Sequence, residues 1–515
     1  MELAAQAIDE LALVEINLES TLQRLYHLRR RRNFLASPLL RLPTELILRI
    51  FEHAVELGDE DDDSPSSMQA CRTLLVIVGI CYELRKIGMT THYLWSIIDL
   101  TTPSLAELFL ERCNYDPRIL IKSLPLHEGR ETLWTQLQAR TFNSLRSLVF
   151  KGGPSEFTDG SIPIPILQWA TNLSSLDIHF VGAYEPQLPW YLDTPIPSLS
   201  VLRLRGFSIR WTSPLLRNLS RLTLDAGPAH NPVQLEHTPI ETFLTALASC
   251  PDLELLELRN AGPKKLNGHR DNCDMVVQLH KLRRLSLHFQ CPSAVGYILS
   301  HIGYPESVRA KITVPISKED GVSEIVSKAI TRDADTFRHF RKSKALTIHL
   351  ENDTYTFSTD TSLIFCLELT WECPPQDFVR LICESLEVVE RDAIVSLFIE
   401  TGYLDVAKEI LETLLRGLPR LERIKYRRNG RMICDIIDPF VLVFSQPFIG
   451  EPVCPELRDL ELSKGVLAHL STASLFKRAL SERKAYSTRS IRLGLSDKEM
   501  EEDLLVLAPF QNLAD

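Results

Sequence analysis

A pattern of the form Leu-x-x-Leu-x-Leu recurs through most of this chain, and it limits the folds open to it more than any other feature. Clear copies are Leu145, Leu148, Phe150; Leu173, Leu176, Ile178; Leu199, Leu202, Leu204; and Leu219, Leu222, Leu224. The series continues with Leu253, Leu256, Leu258, then Leu282, Leu285, Leu287, and later with Leu421, Ile424, Tyr426 and Leu457, Leu460, Leu462. Weaker copies hold the pairs Ile119 and Ile121, Ile312 and Val314, Leu346 and Ile348, Leu367 and Leu369, Leu397 and Ile399, and Ile491 and Leu493. Side chains two apart share one face of a strand, so each Leu-x-Leu pair predicts a short strand with one apolar face. The leucine before the pair packs in the preceding turn. One such unit cannot bury its face alone, but a stack of units makes a continuous core. Helical stretches fall between the strands, as at 240–249, 378–389 and 406–415, where Phe243, Leu244 and Leu247 share a face.

This series resembles the leucine-rich repeat family. The resemblance implies an α/β solenoid over residues 96–515, with a parallel sheet on the concave side and helices outside. It departs from the family at one position. The asparagine or cysteine expected three residues after the last leucine is replaced by Phe207, Gly227, Ala261 and Gln290. The backbone ladder that those side chains satisfy must therefore be absent or replaced.

The N-terminal region has a different texture. Residues 3–32 contain neither proline nor glycine, and Ile8, Leu11, Leu18, Leu22 and Leu25 recur at spacings of three and four, with Glu15 interrupting. Val14 and Leu28 widen the stripe. This predicts one long helix, residues 1–36, with a short coiled-coil-like pattern. Such a stripe serves self-association or folds back on its own domain. The run Arg29-Arg30-Arg31-Arg32 reads either as a nuclear import signal or as a solvated helix end favoured by the macrodipole.

Ser37-Pro38 breaks the chain, and Leu42-Pro43 opens a new helix, where proline suits the first turn. Leu46, Ile47, Ile50, Phe51 and Ala54 follow at helical spacing, and Gly58 ends the segment. The acidic run Asp59 to Asp63 and Ser64-Pro65-Ser66-Ser67 read as a charged insert over 58–67. Residues 70–88 are expected to be helical again, and Thr90 or Thr91 to cap a short helix carrying Tyr93, Leu94 and Trp95.

Together residues 37–95 resemble an F-box, the module that ties a substrate receptor to a cullin-type ubiquitin ligase. The long helix before it looks like the arrangement in many mushroom-type fungal F-box proteins. The resemblance implies that Leu42, Pro43, Leu46, Ile50 and Phe51 insert into a groove of a Skp-type adaptor. It also implies that Val78, Ile80, Cys81, Leu94 and Trp95 supply a further apolar surface. Leu84 stands where the family usually carries tryptophan. The bland alternative is a plain helical cap for the solenoid, which terminal repeats need.

Composition excludes several function classes. A net charge of −10 argues against a general nucleic-acid binder, which needs a basic surface. No run of 18 apolar residues predicts a membrane span, and Met1-Glu2-Leu3-Ala4-Ala5 lacks the flank and apolar stretch of a signal peptide. The 11 cysteines show no Cys-x-x-Cys pair, which fits free thiols in the cytoplasm or nucleus. Cys366, Cys373 and Cys383 near Trp371 read as structural thiols. No phosphate-binding loop, dinucleotide fingerprint, zinc-protease or nucleophile-elbow motif occurs, so neither catalysis nor a metal or cofactor is expected.

The functional expectation is a substrate receptor of an SCF-type (Skp, cullin, F-box) ubiquitin ligase. The alternative is a leucine-rich-repeat interaction scaffold with no link to a ligase. Substrate would be a protein held on the strands' solvent-facing residues, which include Arg203, Arg205, Arg221 and Arg284. Arg203, Arg221 and Arg284 would form a basic stripe for an acidic or phosphorylated segment, or ordinary solvated charge.

Overall fold

The structure is a computed structural model. It describes residues 2–56, 67–99, 102–113, 118–122, 145–152, 170–180, 194–226, 239–262, 275–289, 291–316, 324–330, 341–351, 354–360, 363–369, 375–401, 408–428, 439–444, 453–463, 474–481 and 491–495. The acidic run, Ser64, Trp371, Cys373, Gly227 and Gln290 lie outside the described residues. The chain divides into two compact units, one of residues 1–183 with 189–199, the other of 184–188 with 200–515.

The first unit begins with α1 (Glu2–Ala36), then a 3-10 turn at Leu39–Arg41 and α2 (Thr44–Glu56). Pro43 sits just before α2, and its carbonyl accepts the amides of Leu46 and Ile47. The stretch expected as one helix over 70–88 is two. α3 (Ser67–Ile80) and α4 (Tyr82–Thr90) are separated by Cys81, whose backbone is extended. Thr91 does not cap the 3-10 helix His92–Trp95; its hydroxyl donates back to the Ile87 carbonyl at 2.7 Å. β1 (Ile97–Asp99), α5 (Pro103–Arg112), β2 (Arg118–Lys122), β3 (Ser147–Gly152) and β4 (Ser175–Phe180) follow, the strands parallel and in chain order.

The second unit carries β5 (Val201–Arg205), β6 (Arg221–Asp225), β7 (Leu255–Arg259), the short β8 (Val277–Gln278), β9 (Arg284–His288), the short β10 (Ile302–Gly303) and β11 (Arg309–Ile316). β5, β6, β7, β9 and β11 are parallel neighbours in that order, while β8 and β10 pair separately. Next come β12 (Ala345–Leu350), β13 (Thr354–Thr359), β14 (Leu363–Leu369), β15 (Ser396–Thr401), β16 (Arg423–Arg428), β17 (Asp459–Leu462) and β18 (Arg492–Leu495).

Here the expected all-parallel sheet needs correction. The neighbours run β11-β14-β13-β12-β15, and β13 is antiparallel to both its partners. β13 was not legible as a repeat because no leucine precedes its buried pair, Tyr355 and Phe357. The last pair also shifts. Leu493 and Leu495, not Ile491 and Leu493, stand opposite Leu460 and Leu462.

Burial explains the strands. In β5 Leu202 and Leu204 are buried while Val201, Arg203 and Arg205 are half-exposed, and β7 and β9 alternate the same way. The leucines before the pairs, from Leu145 to Leu457, are all buried in turns. Helices Ile240–Ala248, Pro375–Val388 and Lys408–Arg416 bury their apolar residues as well.

Backbone bonds link successive repeats at both ends of the strands, and those before the strands form a regular series. The Ser200 carbonyl accepts the amides of both Ser220 and Arg221, Ser220 those of Glu254 and Leu255, and Glu254 those of Arg283 and Arg284. At the strand exits Gly206 (φ 74°) and Asn260 (φ 51°) turn left-handed, and their amides donate to the Asp225 and His288 carbonyls. Glycine and asparagine tolerate that conformation best.

Candidate functional site

The helical module, residues 37–95 in the first unit, is built on a core of Phe51, Leu74, Val78, Leu84, Leu94 and Trp95. Trp95 is fully buried, packs edge-on against Phe109 at 4.9 Å and carries the Arg112 guanidinium over its ring at 4.5 Å. Val78 packs on Gly88, where an added Cβ would stand 2.4 Å from Val78 Cγ1. Leu84 is buried in the same core.

α2 has two apolar rows. Ile47, Phe51 and Val55 recur every four residues and are buried. Leu42, Leu46 and Ile50 recur at the same spacing one residue earlier and are exposed, Leu46 at 47% and Ile50 at 41%. Side chains four apart lie on one helix face, so Leu46 and Ile50 share one face of α2, and exposed Leu42 stands on extended backbone just before the helix. Pro43 is exposed at its start.

The ten expected adaptor residues therefore fall into two sets. Leu42, Pro43, Leu46, Ile50 and Ile80 are exposed, and Cys81 is half-buried. Phe51, Val78, Leu94 and Trp95 lie beneath, as core that holds the outer set in place. Sequence reading missed Val76, Tyr82, Met89 and Tyr93, all exposed on the same module. Tyr93 is placed by its hydroxyl, which donates to Glu52 Oε1 of α2 at 2.5 Å. Their signal was present, since Val76 and Ile80 are four apart and so share a face of α3.

In the second unit the open face of the sheet carries the expected arginines, but not as one stripe. Register places Arg221 and Arg284 in a row with Leu255 between them and Arg309 beyond. Arg203 lies two residues along, in a row with Thr223, Glu257, Ser286 and Lys311. The leucines fix the register. Arg203 stands between its two leucines, whereas Arg221 and Arg284 precede theirs.

Arg205 occupies a third row, opposite Asp225, Arg259 and His288. Arg259 Nη1 lies 3.4 Å from Asp225 Oδ2. Burial and the neighbouring Arg259 hold His288 below the usual histidine range.

A second open-face cluster escaped sequence reading. Phe398 of β15 meets the His349 ring at 6.0 Å and the Lys425 ammonium at 5.7 Å. His349 Nδ1 lies 2.9 Å from Glu400 Oε2, and Lys425 Nζ 2.8 Å from Glu461 Oε1. These residues come from β12, β15, β16 and β17, so only the strand order brings them together.

Among the described residues no three His, Cys, Asp or Glu side chains converge as a metal site requires, and no helix is long and apolar enough to cross a membrane. Of the thiols expected to be structural, Cys366 and Cys383 are half-buried. Compared with known proteins, the chain matches no family model and no curated protein.

Proposed function

We propose that this chain is the substrate-receptor subunit of an SCF-type ubiquitin ligase, docking a Skp-type adaptor through its helical module and a protein substrate through its repeats. The observation that carries the proposal is the exposed Leu46 and Ile50 pair on α2, with Leu42 exposed just before the helix, set over a buried row that already satisfies the core. An apolar patch beyond what the core needs marks a partner surface, and the F-box resemblance names the partner as the adaptor. The reading needs no catalytic residue. A receptor accelerates transfer by raising the local concentration of substrate near the activated ubiquitin.

Co-expression of the full chain with a Skp-type adaptor tests it. The wild type is expected to copurify with the adaptor. Leu46→Glu combined with Ile50→Glu places two carboxylates in the interface, which costs several kcal/mol and removes binding. No copurification of the wild type, or unchanged affinity in the double variant, leaves the interaction scaffold as the better account.

A further inference from the structure

We infer that α1 pairs with α1 of a second copy of this chain, and that the two helices run antiparallel. Every residue from Glu10 to Ala36 is exposed. From Glu10 onward the fold-back that the sequence allows is confined to the C-terminal end of α1. There the Arg30 guanidinium lies over Tyr82 at 4.0 Å and pairs with Glu83. A cleft of about 540 Å³ remains around that contact.

The heptad seam stays uncovered. Leu11 is 64% exposed and Leu18 61%, and Val14, Leu22, Leu25 and Leu28 are exposed beside them. An isolated helix with an apolar stripe is marginal in water and is stabilised by a matching stripe. Thirty-five residues span about 52 Å at 1.5 Å per residue, enough for several heptads of contact.

Charge selects the occupant and its direction. From Glu10 to Glu19 the helix carries three carboxylates and no lysine or arginine. From Arg24 to Arg32 it carries five arginines and no carboxylate. A helix with one acidic and one basic half is complementary to itself reversed. An antiparallel pair centred near Ser20 sets Leu18 against Leu22 of the second copy and the acidic half of each helix against the basic half of the other. A parallel pair stacks Glu15 on Glu15 and Arg29 on Arg29, like charges in the seam, which is unfavourable. Among the described residues no carboxylate pairs with Arg24, Arg29, Arg31 or Arg32, and Arg30 alone of the five pairs there, with Glu83.

Sedimentation equilibrium of the full chain tests the pairing. The wild type is expected to be a dimer whose dissociation constant rises at least several-fold between about 0.1 M and 1 M salt, as the Debye length falls from about 10 Å to 3 Å. A parallel pair predicts the opposite sign. Leu18→Asp with Leu22→Asp, both at exposed positions, should give a monomer whose repeat domain melts as in the wild type. Replacing Arg24, Arg29, Arg31 and Arg32 by Glu should weaken self-association on the order of tenfold or more. Mixing that variant with one carrying Glu10→Arg, Glu15→Arg and Glu19→Arg should restore the dimer. A wild type that stays monomeric, a dimer that tightens with salt, or a dimer that survives the Leu18/Leu22 change overturns the inference.

Discussion

The Trp95 indole nitrogen donates a hydrogen bond to the Gly88 carbonyl at 2.9 Å, joining the 3-10 helix to α4 in the middle of the helical module. Trp95→Phe keeps most of the apolar volume but removes this bond, leaving the carbonyl only the Thr91 amide at 3.4 Å, at about 0.5–1.5 kcal/mol. Trp95→Ala adds a cavity and should cost about 3–5 kcal/mol. Gly88→Ala should also destabilise, because the new methyl meets Val78, a stiff β-branched side chain. Denaturant titration of the three variants gives the order, and equal stability of all three would refute this account of the core.

The two rows of α2 should separate stability from binding. Leu46→Glu with Ile50→Glu is expected to change stability by less than about 1 kcal/mol, because both residues are exposed. Phe51→Ala, one position after Ile50, should cost about 3–5 kcal/mol, because Phe51 is buried. Thermal melts alongside adaptor pull-downs measure both.

Tyr355 ties the reversed strand β13 to the helix behind it. Its hydroxyl donates to Ser385 Oγ at 2.8 Å, and Ser385 donates on to the Leu381 carbonyl. Tyr355→Phe should therefore cost about 0.5–1.5 kcal/mol with no change in fold, and Tyr355→Phe plus Ser385→Ala less than the sum of the single changes. A double-mutant cycle reads this directly.

Two groups give stability opposite pH limits. His288 has a lowered value when folded, so its contribution is present above the ordinary histidine range and lost as pH falls through the folded value. Burial, with Asp99 nearby, pushes the Cys71 thiol up to about 12, so its contribution holds below the ordinary thiol value of 9.0 and is lost as pH rises toward 12. His288→Gln should flatten the acid limb and Cys71→Ser the alkaline limb of a stability–pH curve. Thiol titration of the folded chain should find exposed Cys291 reacting before buried Cys71 and Cys250.

On the open sheet face, Arg221→Glu with Arg284→Glu reverses two charges in one row. If acidic substrate binds there, this pair should weaken capture more than Arg203→Glu with Arg221→Glu, which spans two rows. Adaptor binding should be untouched by either. Quantitative substrate capture with each variant ranks them.

Most of the repeat layout was legible in the sequence. A Leu-x-Leu pair has few ways to bury two side chains other than as a strand, and every clear copy lies in or at a strand. The order of neighbours was not legible. Nothing local distinguishes Leu346 and Ile348 of β12 from a strand beside β11, because adjacency depends on where the intervening chain returns. The split of the adaptor residues also escaped reading. Phe51 and Ile50 are both large and apolar, and helical periodicity places them on adjacent faces without saying which face the rest of the module covers. The single arginine stripe expected from the sequence was wrong, although the position of each arginine relative to its leucines already fixes its register and sets Arg203 in a different row from Arg221 and Arg284.

The reversed block β14-β13-β12 changes how this array can grow and fold. A regular stack assembles by nearest neighbours, so each strand meets its partner within one repeat of chain. Here β11 must wait for β14, with β12 and β13 synthesised in between, and β15 docks on β12 rather than on the strand just completed. Closing that longer loop before its contacts form slows folding and makes the block all-or-none. Repeats can be gained or lost on either side of the block. Within it, deletion of a single strand leaves two unmatched edges, so the three strands persist or disappear together.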